Sequence, residues 1–162
     1  MTEEPKPTIV LGVDFSPNNR PALDAAIQAA SERHAKLALV HALQPLGAPG
    51  LVPSSPRADP ERNEAADVVS NVDDPLHRWE GRAAAAGVEA ESVSLSGEPA
   101  QVLLDEANRR NAEAIVVGTV GRTGLRKAIL GSVARRVVER STVPVLVVPV
   151  DPQEKQHIVV PR

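Results

Sequence analysis

Short runs of Val, Leu, Ile and Ala alternate with helix-spaced apolar stretches along this chain, and no other feature constrains its fold as much. Thr8–Val13 (TIVLGV) is followed by Ala22, Leu23, Ala26, Ile27 and Ala30 at helical spacing up to about Arg33, then by Leu37–Leu43 (LALVHAL). The runs have the length of strands, and their near-continuous apolarity suits strands covered on both faces. Strand, helix and strand within roughly 35 residues make a βαβ unit, with parallel strands and a right-handed crossover. Ser16 is placed to cap the helix, with Pro17 at its first position.

The pattern then breaks and resumes. Gln44–Pro60 carries Pro45, Pro49, Pro53, Pro56 and Pro60 with Gly47 and Gly50, and reads as a loop. Glu61–Gly87 reads as helical, split by Pro75, with Asp73 or Asp74 capping its second piece. Val88–Leu95 is polar enough to be an edge strand. Gly97-Glu98-Pro99 is a turn, Pro99–Arg110 an amphipathic helix, and Ala112–Val117 (AEAIVV) a further buried strand. A loop at Gly118–Gly124 leads into a helix, in one or two pieces, over Leu125–Arg140. Val143–Val150 (VPVLVVPV) is the last strand, and Pro144 and Pro149 imply an edge position or strand ends. Residues 1–150 thus predict one three-layer α/β sandwich, Rossmann-like, with a five-stranded, mostly parallel sheet of order 3-2-1-4-5. Residues 151–162 form a polar tail, expected to be disordered.

Composition excludes several function classes. Phe15 and Trp79 are the only aromatic residues among 162, so the core is aliphatic, and Trp79 reads as a packing residue. With no cysteine, thiol chemistry and thiolate–zinc sites are absent. The polar start MTEEPKPT and the lack of a long apolar run predict a cytoplasmic protein with no membrane partner. A net charge of −3 argues against nucleic acid as a partner. Within it, Arg122, Arg126, Lys127, Arg135, Arg136 and Arg140 face only Glu139 over residues 122–140, a local +5. Such a patch suits a small anionic ligand, or else a solvated helix face with cations near its C-terminal end.

Two candidate lips meet in this topology. The first strand ends in Gly12-Val13-Asp14 and the fourth in Val117-Gly118. In order 3-2-1-4-5 these strands are neighbours where the winding reverses, the place where open α/β sheets bind ligands. Asp14 is suited to sugar hydroxyls or a base amino group. Opposite it runs Gly118-x2-Gly121-x9-Gly131-Ser132. Gly118 lets backbone approach a ligand, Gly121 permits a turn that aims N–H groups inward, and Gly131-Ser132 opens a helix whose N-terminus attracts anions. Ser132 is equally suited to cap that helix. Thr119, Arg122, Thr123, Arg126 and Lys127 lie within loop reach. In the purely structural alternative, Gly118 and Gly121 only turn the chain and Gly131 ends a piece of helix.

At these residues the chain resembles the universal stress protein family. Ala114–Pro149 is similar to its C-terminal signature and Ile9–Ser16 (IVLGVDFS) to its opening strand and aspartate. The resemblance implies a nucleotide-dependent regulatory module binding ATP. Gly12, Val13 and Asp14 would line the adenosine side and Ala42 would touch the adenine. Val117 and Gly118 would flank ribose and phosphates, and Gly121, Gly131, Ser132 and Val133 would hold the phosphate chain, with Arg122 beside them. It also implies a homodimer through Val143–Val148, whose apolar edge would otherwise be exposed. Thr119-Val120 stands where the family often has Ser-His, and Ala42 where it often has Val. Asp14 has the chemistry to hold Mg2+ or Mn2+ beside phosphates, though a ribose or base contact suits it better. No P-loop, metal-spaced histidine pair or nucleophile–base pair occurs, so no catalytic residue is assigned, and enzymatic activity is expected to be at most slow ATP hydrolysis. His41 reads as a hydrogen-bonded core residue. The alternatives are an interaction protein of the same fold without nucleotide, and a slow ATPase.

Overall fold

The computed structural model describes residues 5–44, 74–119, 130–150 and 155–162. Along the chain run β1 (Thr8–Val13), a 3-10 turn (Pro17–Asn19), α1 (Arg20–Arg33), β2 (Lys36–Leu43), α2 (Pro75–Ala85), β3 (Ala90–Ser96) and α3 (Pro99–Arg109). Then come β4 (Ala114–Gly118), α4 (Ser132–Arg140), β5 (Val145–Val148) and β6 (His157–Val159). They form one sheet of order β3-β2-β1-β4-β5-β6, parallel except for the antiparallel β5–β6 pair.

The strand alternation sorts the core into two faces. Ile9, Leu11, Val13, Leu37, Leu39 and Val116 pack with Ala22, Leu23, Ala26 and Ala30 of α1 and with Leu76 and Ala83 of α2. Val10, Ala38, Val40, Ile115, Val117, Val145 and Val147 pack with Leu103 and Ala107 of α3 and Ala134 and Val137 of α4. Fully burying each Val, Leu or Ile side chain contributes about 1.5–3 kcal/mol, so the aliphatic runs supply the main favourable contribution to the sandwich.

Local signals set the element ends. Asp74 caps α2, its Oδ1 accepting from Leu76 N at 3.0 Å, one of the two acids anticipated for that role. Glu98 caps α3, accepting from Ala100 N and Gln101 N at 3.2 and 3.0 Å. Ser16 precedes the 3-10 turn without a side-chain cap bond, and α1 begins only at Arg20, with Pro21 in its first turn. β3 is the edge strand its polarity suggested.

Three expectations change at the C-terminus. The sheet has six strands rather than five, because residues 157–159 of the supposedly disordered tail pair with β5. β5 is therefore not the edge. β5 is shorter than the Val143–Val150 expected, and Pro144 and Pro149 lie just past its two ends, the strand-end reading of these prolines, since neither can donate to a ladder.

Candidate functional site

The crevice starts from where the sheet stops pairing. β1 and β4 are in register at Ile9–Ala114, Val10–Ile115 and Leu11–Val116. Beyond that, Val13 pairs with His41 of β2 and Gly118 with Val148 of β5. The two C-terminal strand ends thus belong to opposite halves of the sheet, and the winding reverses between them.

Side chains hold the β1 lip. Asn19, buried, donates from Nδ2 to Gly12 O at 3.2 Å and accepts from Asp14 N on Oδ1 at 3.0 Å. Asp14 Oδ1 accepts from Ser16 N at 2.9 Å, closing a local turn. His41 Nδ1 lies 2.8 Å from Val13 O, so that nitrogen carries the proton and donates. His41 is then the hydrogen-bonded residue the sequence suggested. Phe15 follows in the left-handed region at φ 59°, its ring 4.5 Å from that of His41 and edge-on to Trp79. A Cβ on Gly12 would come within 2.9 Å of Leu103 Cδ1, so α3 packs directly beneath this lip.

Backbone closes the β4 lip. Thr119 N donates to Val148 O at 2.9 Å, and Gly131 N donates to Thr119 O at 2.6 Å. That second bond ties the start of α4 to the end of β4. Gly131, not Ser132, is the N-cap residue, and Ser132 is the first residue of α4. The α4 N-terminus, whose first N–H groups have no partner within the helix itself, therefore sits beside Gly118 and Thr119.

The face assignment separates the anticipated residues. Gly12, Ala42, Val117 and Val133 belong to the α3/α4 face. Val13 buries its side chain on the opposite face and offers the site only backbone. Gly121 and Arg122, like Thr123, Arg126 and Lys127, lie outside the described residues. Arg136 pairs with Glu98 at 3.1 Å, which accounts for one cation of the basic segment without a ligand. Burial disfavours the Glu98 carboxylate, but the N–H groups of Gln101 and Ala100 and the Arg136 guanidinium outweigh it and hold its pKa below the usual value. Asn19 and Phe15 were not anticipated. Buried Asn is invisible to hydropathy patterns, and only the neighbouring Pro17 and Pro21 hinted that this turn is fixed.

No group of three His, Asp or Glu residues able to hold a metal occurs among the described residues. No helix there is long and apolar enough to cross a membrane.

Fold and crevice together define an open α/β protein whose switch point brings a carboxylate turn and a helix N-terminus together as a candidate site. Residues 7–149 match the model of the universal stress protein family, and the chain belongs to that family. It is 33% identical to the universal stress protein YxiE of Bacillus subtilis over 150 residues, covering 86% of this chain and 97% of the relative. A crystal structure of a universal stress protein in complex with cAMP matches with TM-score 0.62 and 30% identity, over 91% of this chain and 100% of that one. A universal stress protein from Archaeoglobus fulgidus in complex with dAMP matches with TM-score 0.59 and 27% identity, over 88% and 97%.

Proposed function

We propose that this protein is an ATP-binding universal stress protein, a nucleotide-dependent regulatory module that works in the cytoplasm as a homodimer. The observation that carries the reading is the Gly131–Thr119 hydrogen bond, which fixes the α4 N-terminus at the end of β4, across the switch point from Asp14. The N–H groups of the first helical turn and the helix dipole there favour an anion, and Asp14 and Ala42 offer a polar and an apolar contact to a nucleoside. The cAMP and dAMP carried by the two solved relatives favour an adenine nucleotide as the ligand class. A triphosphate, rather than a monophosphate, suits a loop that carries Arg122, Arg126 and Lys127. With Asp14 the only carboxylate assigned to the crevice, Mg2+ or Mn2+ would be held chiefly by the phosphates. The residues assigned to the crevice are suited to binding, and no catalytic base is assigned among them.

The test is direct. Denaturing the purified protein should release adenine nucleotide. Calorimetric ATP titration should show binding to the wild type that is lost in the double variant Gly121→Val, Ser132→Ala. Absent binding in both, or equal binding in both, overturns the reading. Phosphate release well above background and abolished by Asp14→Ala would favour a slow ATPase instead.

A further inference from the structure

The outer edge of β5 is occupied by the chain itself. β6 lies antiparallel along it, with Val145 opposite Val159, Leu146 opposite Ile158 and Val147 opposite His157. This strand lies beyond residues 7–149, the span that matches the family, so it is an addition to the family domain. It is also lightly seated. Val159 is partly buried against the α3/α4 core, whereas His157 is exposed, Ile158 is 69% exposed and Val160 64%. The strand beneath is the reverse: Val145, Val147 and Val148 are buried, and Leu146 packs partly against the α1/α2 core.

We propose that β6 is an intramolecular cap that competes with a second copy of this chain for the outer edge of β5. The inference rests on the proposed pairing of two copies through Val143–Val148. β5 ends at Val148 and β6 begins at His157, and so short a separation along one chain gives an effective concentration of about millimolar, so the capped state prevails in dilute protein. Release of β6 leaves a row of unpaired N–H and C=O groups on an apolar strand, a template for another strand. Antiparallel pairing of β5 with its own copy is self-complementary and closes as a two-fold dimer, which favours a second copy over an unrelated partner. The cap is weak because three ladder residues and one inward side chain hold it, and short two-stranded pairings are marginal on their own.

Sedimentation velocity over a wide concentration range tests this with the full chain, a chain ending at Val150, and full-length Val159→Asp and Ile158→Ser. The truncated chain and Val159→Asp should dimerise at concentrations about tenfold or more below the full chain. Val159→Asp loses the inward contact while keeping the tail, so the test does not depend on truncation alone. Ile158→Ser, altered at an exposed side chain, should associate like the wild type. Unchanged association in both the truncated chain and Val159→Asp overturns the proposal. So does weaker association on truncation, which would make β6 itself the partner surface. ATP titration of the same samples keeps the two readings apart. Intact ATP binding with unchanged association sinks the cap alone. Absent ATP binding with a tenfold shift in association sinks the nucleotide reading and leaves the cap.

Discussion

The two lips of the crevice are built by different means. The β1 lip depends on side chains: Asn19 bridges Gly12 O and Asp14 N, and His41 fixes Val13 O. The β4 lip depends on backbone: Thr119 N to Val148 O, and Gly131 N to Thr119 O. A side-chain brace holds one geometry and fails when one residue changes. A backbone clasp tolerates many side chains and needs only glycine-compatible spacing. The first suits the discriminating end of a ligand, the second its charged, repetitive end. α3 lies under both, with Leu103 against Gly12 and Glu98 paired to Arg136 of α4.

Asn19→Ala should have the largest effect. It removes the side-chain bonds to two part-buried backbone groups, Gly12 O and Asp14 N, each worth about 1–3 kcal/mol, so denaturant unfolding should show a loss of about 3 kcal/mol. ATP affinity should fall with it, because Asp14 loses its brace. A loss under about 1 kcal/mol would mean that the β1 lip is held by backbone like its opposite, and the contrast would collapse.

This contrast also explains what was legible. The glycine spacing of the β4 lip stands in the sequence because a backbone device needs particular residues at particular intervals. Asp14 was legible as a carboxylate at a strand end. Asn19 was not, since its use depends on where a 3-10 turn folds back. The strand runs and the described helices followed from apolar periodicity, and the order 3-2-1-4-5 from the open α/β class that their alternation defines. β6 did not, because His157-Ile158-Val159 is too short and too polar in context to signal a strand; its neighbour β5 supplies the ladder.

Changes in α3 should disturb both lips together. Glu106, buried on α3, pairs with Arg109 at 2.6 Å and Arg110 at 2.5 Å, and Arg110 reaches on to Glu91 of β3. Hydrogen bonding from Arg109, then from Arg110, outweighs burial and holds the Glu106 carboxyl at about 2, against an ordinary 4.5. A carboxylate depressed in the folded state stabilises it fully above 4.5, and that contribution is lost as pH falls toward about 2. Glu106→Gln should therefore cost about 2 kcal/mol at neutral pH. The gap between variant and wild type should narrow as denaturation curves are taken to lower pH. A gap that stays constant down to pH 3 would show that the pair contributes by packing rather than charge.

Glu98→Ala is the milder test on the same helix. It removes the α3 cap and the partner of Arg136, and a lost cap costs about 1 kcal/mol. The Glu98 pKa is depressed too, so its contribution has the same sign and fades with acid. Because Glu98 links α3 to α4, thermal unfolding should fall modestly, and ATP binding should weaken more than in Glu106→Gln at equal stability loss. Equal binding losses would mean that α3 acts as one rigid support, with no special link to the β4 lip.

Ser132→Ala should change stability least and is the most informative about the β4 lip. Replacing a serine N-cap costs about 1 kcal/mol, but here Gly131 is the cap residue and Ser132 is an exposed first residue of the helix. The stability change should therefore be a few tenths of a kcal/mol, near the limit of a denaturant midpoint measurement. A hydroxyl bonded to a phosphate oxygen contributes about 1.4 kcal/mol, so ATP affinity should fall about tenfold. A backbone clasp with one side-chain contact to the ligand loses binding and keeps its fold. A merely structural glycine turn would lose neither, and a hidden cap would lose stability first. The ratio of the two losses in this one variant decides whether the β4 lip was built to hold a phosphate or only to turn the chain.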